Sequence, residues 1–262
     1  MDAKPTTFST MLSEKKLFLV PLYQRPYSWR KKEWQQLWDD IIRLSENSAR
    51  QSQHFIGPMV IVIQETSAVK IPEHLVIDGQ QRLITILVLL AAIRDKDPEN
   101  PEIQGEITKY LTNQHKPEPY FFKLWPTQDD RQVFSSIIKG EKSAESPTRS
   151  SKIFEAYKFF EGKINRALQE NTLTLDELIV IIERRLNFVL IELTTHENAH
   201  VIFESLNAKG APLTQADLIR NYFFMKVPKD DQARVHEECW KPIETRLKKE
   251  SDKKKLVAAA NG

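Results

Sequence analysis

The segment Leu83 to Ile93, LITILVLLAAI, constrains this chain more than any other. It carries one hydroxyl, Thr85, and no charge. A bilayer span takes about 20 apolar residues, so the segment is too short to cross one. A helix that is apolar on every side must be enclosed by other elements. "RDKDPENP", with its two prolines, ends it. The joint before it, Asp78-Gly79-Gln80-Gln81-Arg82, sets a carboxylate, two amides and a guanidinium between apolar runs. Burying such groups without partners is costly, so this joint needs an explanation.

"EHLVID" before the joint reads as a strand, giving the layout strand, glycine, two residues, arginine, helix. Gly79 permits a tight turn and close approach of a ligand. The first turn of a helix presents unpaired N–H groups, and its dipole favours an anion. Arg82 adds a forked cation suited to phosphate oxygens. Gln80 and Gln81 add amide donors. The joint is physically a phosphate cradle. The structural alternative is that Asp78 caps the helix and Arg82 pairs with it.

Other segments frame this joint. "KKLFLV" predicts a strand over Leu17 to Val20, and Ser28 a cap for the next helix. In "RKKEWQQLWDDIIRLSE", Trp34, Leu37, Trp38, Ile41 and Leu44 fall on one helical face. "GPMVIVIQET" predicts a strand, and "PYFFKLWPT" a strand or extended arm. "KGEKSAESPTRSS" is nearly devoid of apolar residues and predicts a mobile loop. Helices are expected over Lys152 to Gln169, Thr174 to Arg185 and Glu197 to Leu206, with a strand at "LNFVLIELTT". A further helix is expected to start near Thr214. The tail after Lys241 is rich in lysine and expected to lead into another domain.

"PLYQRPYSW" sets Gln24 and Arg25 between aromatics. Tyr23, Tyr27 and Trp29 are placed either to stack on a base or to fill a core. "FESLNAKGAPLTQADLIRN" joins a helix end near Asn207, a turn at Gly210 and a helix start capped by Thr214, with Asp217 in its first turn. Asn207, Lys209 and Arg220 would face any ligand at that turn. "HENAH", His196 to His200, matches a zinc-protease pattern. It lacks a third ligand, and no metal site is assigned to it.

The net charge of +2 argues neither for nor against nucleic acid. The one cysteine, Cys239, cannot form an internal disulfide, which fits a reducing compartment. The N-terminus has no apolar signal-peptide core. The expected protein is soluble, without a membrane partner, and cytoplasmic.

"YQRPYSW", "HFIG", "VIDGQQRL" and "FESLNAKGAPLTQADLIRN" occur in this order and far apart. Together they resemble the N-terminal domain of GmrSD-type and SspE-type modification-dependent restriction proteins, over about residues 7 to 226. The resemblance implies an α+β fold. Residues 1–95 would be a ParB/sulfiredoxin-like nucleotide-binding domain and residues 96–262 a mainly helical subdomain. It implies binding and hydrolysis of a nucleoside triphosphate, with magnesium, in defence against phage carrying modified DNA. Asp78, Gln80, Gln81 and Arg82 would be catalytic. Gln24, Arg25 and Gly79 would join them in holding the nucleotide. Arg30, Lys31 and Lys32 would meet DNA. Family members continue into a nuclease half, for which this chain shows no signature, so the expected partners are DNA and a nuclease domain or subunit. A homo-oligomer is compatible with these expectations. The alternative is a reader of modified DNA that turns over no nucleotide.

Overall fold

The computed structural model describes residues 2–46, 52–64, 71–141, 151–194, 220, 223–224, 227–243 and 245–246. They divide between two compact units, Met1–Pro21 with Arg25–Leu206, and Leu22–Gln24 with Asn207–Gly262. The expected boundary at residue 95 does not coincide with this division. The fold is α+β, as expected. "HENAH", the Asn207–Asp217 turn, the 142–150 stretch and the tail beyond 246 lie outside the described residues.

The first unit opens with β1 (Asp2–Thr7), α1 (Phe8–Leu12) and β2 (Leu17–Leu19). Then come α2 (Lys31–Glu46), β3 (His54–Ile63), β4 (Glu73–Asp78) and α3 (Gln80–Arg94). α4 (Pro101–Leu111), β5 (Leu124–Trp125), α5 (Gln128–Lys139), α6 (Lys152–Gln169), α7 (Leu175–Arg184) and β6 (Leu186–Leu193) complete it. The six strands form one mixed sheet in the order β1-β6-β3-β4-β2-β5. The late strand β6 sits between β1 and β3, antiparallel to one and parallel to the other. Chain segments on both sides of residue 95 therefore build a single sheet.

α3 is the centre of the core. Every residue in it except Arg82 is buried. α4, α5, α6 and α7 all pack against it, and its apolar side chains join Met59, Ile61, Val76, Phe188 and Leu190 of the sheet in one cluster. Each large aliphatic side chain removed from water here contributes roughly 1.5–3 kcal/mol. The expected face of α2 is buried as read, at Trp34, Leu37, Trp38, Ile41 and Leu44, but Asp40 is buried with them. α7 begins with a complete capping box between Thr174 and Glu177. Arg94 closes α5, donating to the carbonyls of Ile137, at 3.0 Å, and Ile138.

In the second unit, α8 (Lys229–Val235) runs into a π-helical turn, His236–Trp240. Tyr23 stacks on Phe224 with ring centroids 5.6 Å apart. Tyr23 is thus a packed residue, as its structural reading expected. No helix among the described residues is long and apolar enough to cross a membrane.

His74 of β4 is buried beside the Phe18 ring, and neither ring nitrogen has a hydrogen-bond partner. Burial, reinforced by the Lys16 cation, pushes its pKa down to about 4. The folded state therefore binds fewer protons here than the unfolded state below the unfolded value of about 6.5. Stability falls as pH drops from there to the folded value, by on the order of 3 kcal/mol in total. His74→Phe is expected to remove most of this acid sensitivity. Urea denaturation at pH 7 and pH 4 checks it, and an unchanged difference between the two pH values would exclude His74 as the source.

Candidate functional site

The site grows from the end of β4. Gly79 takes φ 100° and occupies the N-cap of α3, and no side chain caps the first turn. A Cβ at Gly79 would lie 2.7 Å from Met59 Sδ and 3.2 Å from the Pro58 carbonyl. Both the left-handed backbone and the close packing thus require glycine. The α3 start keeps its unpaired N–H groups and the positive end of its dipole.

Arg82 lies over β3. Its Nη2 donates to the Pro58 carbonyl and, at 3.1 Å, to Asp78 Oδ2. A Cβ at Gly57 would lie 3.3 Å from the guanidinium, so this glycine, at φ 114°, also makes room for it. The β3–β6 register shifts between Phe55 and Pro58. The bulge admits a proline into an interior strand and turns its carbonyl toward Arg82. Half of the structural alternative is therefore present. Asp78 pairs with Arg82 but does not cap the helix.

The two glutamines differ from expectation. Gln81 Oε1 accepts from the Ser28 and Trp29 N–H groups at 2.7 and 3.3 Å, and its Nε2 donates to the Pro26 carbonyl at 3.4 Å. Gln80 Nε2 donates to the Arg25 carbonyl at 3.1 Å. Both side chains are buried and hold the 25–29 loop. Their amides, expected to meet phosphate and position water, are engaged by backbone. The expected Ser28 cap fails for the same reason, because the Ser28 N–H and hydroxyl both turn to Gln81. Tyr27 is core as well. Its hydroxyl accepts from Trp34 Nε1 and pairs with Thr85 Oγ1, both at 2.7 Å. The Tyr27 N–H donates to the buried Asp130 carboxylate at 2.7 Å, whose pKa burial raises.

Gln24 is buried and belongs to the second unit, whereas Arg25 is half-buried in the first. Arg30, Lys31 and Lys32 are exposed, just before and at the start of α2. Three cations at a helix N-terminus oppose its dipole. Glu33 offsets part of this by accepting the Arg30 N–H at 2.8 Å.

A cavity of about 250 Å³ opens between α2, β3 and α3, with Trp29, Glu33, Asp40, His54, Phe55 and Arg82 in its wall. Asp40 Oδ2 lies 3.1 Å from His54 Nε2, and Asp40 also pairs with Arg43. Sequence reasoning missed Asp40 and His54. The available signal was a carboxylate three residues after Leu37 and four before Leu44, on the apolar stripe of α2. Among the described residues, no group of three or more His, Cys, Asp or Glu side chains is arranged to hold a metal.

The chain is thus an α+β domain whose strand–glycine–helix joint grips one arginine against a bulged strand. It belongs to the GmrSD restriction endonuclease N-terminal domain family, whose profile matches residues 8–224. This membership supports a role in modification-dependent restriction and phage defence. No curated protein matches the chain.

The glutamine clamp yields a stability test. Gln81→Leu should leave the Ser28 N–H and Pro26 carbonyl without their partner and lower unfolding free energy by about 1–3 kcal/mol. Gln81→Glu keeps the acceptor and should lose less. Chemical denaturation of both proteins checks the order, and equal stability of wild type and Gln81→Leu would release this amide for contact with a ligand.

Proposed function

We propose that this chain is the nucleotide-binding sensor of a modification-dependent restriction system, with the nuclease carried elsewhere. The observation that carries the reading is Arg82, the one residue of buried α3 that is not itself buried, beside an uncapped helix start. The β4–Gly79–α3 unit acts as the ParB/sulfiredoxin-like element. Helix N–H groups and the guanidinium together favour the oxygens of a triphosphate. Asp78 and the Pro58 carbonyl fix the fork of Arg82, so less rotamer freedom is lost on binding. Gly79 lets the phosphates approach the backbone. Gln80 and Gln81 act indirectly by positioning Arg25 and Trp29 at the end of their loop. Asp78 is the carboxylate beside this anion site that would help hold magnesium together with the phosphates. The unpaired, exposed Cys239 fits the reducing cytoplasm in which such a sensor would work.

Nucleotide titration of two variants tests this. Arg82→Ala should weaken triphosphate affinity by ten- to a hundredfold, about 1.5–3 kcal/mol. Asp78→Ala removes a negative charge next to the anion site, so binding should survive while hydrolysis falls. Thermal melts of the same samples establish that each is folded. Wild-type affinity in folded Arg82→Ala would sink the phosphate-site reading.

A second reading is favoured by one specific observation. Arg30, Lys31 and Lys32 are exposed where they work against the α2 dipole, and no described ion pair uses them. Contact with a DNA backbone gives them a purpose, with or without nucleotide turnover. Reversing all three to Glu should weaken DNA binding and flatten its salt dependence, with little change in nucleotide affinity. Undiminished DNA retention by the triple variant at low salt would remove this surface from the interface.

A further inference from the structure

We infer that His54, oriented by Asp40, is the base that activates water in the cavity beside Arg82. This rests on the nucleotide reading above and adds a catalytic group to it.

The geometry begins with Asp40. A carboxylate on the buried stripe of α2 is costly unless it is paired. Asp40 is 6% exposed and pairs with His54 of β3 and with Arg43. Asp40 Oδ2 lies 3.1 Å from His54 Nε2, close enough for the carboxylate to favour a proton on that nitrogen of the neutral ring. Nδ1 is then the nitrogen with the free lone pair. No group among the described residues hydrogen-bonds Nδ1. The His54 side chain keeps 36% of its surface open and forms part of the same cavity wall as Arg82.

A pair that served only to tie α2 to β3 would gain from full enclosure of the imidazole. Here the acceptor is buried and the ring is half open. That asymmetry is what a base with a buried orienting group requires. Among the described residues, the charged groups that share the cavity wall with His54 are Glu33 and Asp40 from α2 and Arg82 from α3, and Arg43 of α2 pairs with Asp40. Arg82 would hold the terminal phosphoryl group. A lone pair of the water oxygen forms the new bond to its phosphorus, while the bond from that phosphorus to the bridging oxygen breaks. His54 Nδ1 takes one proton of the water. The nucleoside diphosphate leaves with the bonding electron pair, and the imidazolium returns its proton to solvent. Asp40 stabilises the imidazolium that forms and is a positioning residue.

The test uses the full chain with ATP, GTP, CTP and UTP in turn, each with magnesium, with and without modified DNA. His54→Gln and Asp40→Asn are compared with wild type at a temperature where melts show all three folded. His54→Gln should lose about a hundredfold or more in kcat, keep nucleotide affinity within about threefold, and lose the acid limb of the kcat–pH profile. Asp40→Asn should keep that limb while lowering kcat, because the imidazole loses the group that orients it. A purely structural clasp would leave kcat and the acid limb of both folded variants as in wild type. Wild-type kcat and an unchanged acid limb in folded His54→Gln would overturn the base and leave the nucleotide reading intact. Binding without hydrolysis by wild type would do the same. Failure of wild type to bind any of the four nucleotides would overturn both.

Discussion

Everything at the site depends on the enclosure of α3. A helix with no polar face cannot rest on a surface, so its position is fixed by neighbours on all sides. α4, α5, α6 and α7 surround it, and the sheet side chains join it in one core. Its first turn is also buried, at Gln80 and Gln81. The one side chain of α3 that escapes burial is therefore presented from a rigid base. Rigid support of this kind is what any ligand-contacting side chain needs, since looseness at the anchor becomes misplacement at the ligand.

The glutamines show how the polar joint is used in two directions. From the helix start, Gln80 and Gln81 reach back to the backbone of the 25–29 loop. Arg82 reaches across to β3. Successive residues of a helix point about 100° apart, which sends these neighbouring side chains in different directions. The joint thus ties the loop, the bulged strand and the helix to one point. Deleting any one of these contacts leaves a buried donor or acceptor without its partner, which is worse than never having placed it there.

Family membership and geometry bear on different parts of the function. The profile match covers residues 8–224 and places the chain among restriction proteins. The geometry speaks to chemistry at named atoms. The cavity wall brings together an arginine, an aspartate–histidine pair and two aromatic rings. Those residues come from α2, β3, α3 and the loop before α2, so no single stretch of sequence contains the site.

The sequence by itself determined the local elements with strong periodicity. The α2 stripe, the limits of α6 at Lys152 and Gln169, the strand before Asp78 and the enclosure of Leu83–Ile93 were all legible, because each depends on spacing along one segment. β1, α1, α4 and α5 were not read, being short or weakly patterned and stabilised by distant partners. The insertion of β6 between β1 and β3 was likewise invisible, since strand order depends on pairings between residues nearly two hundred positions apart. At the site, the sequence identified Asp78, Gly79 and Arg82 as a joint. Only the tertiary structure turned Gln80 and Gln81 toward the loop and brought His54 to Asp40. A side chain's partner is set by which backbone groups converge on it in space, and the order of residues along the chain does not encode that convergence locally.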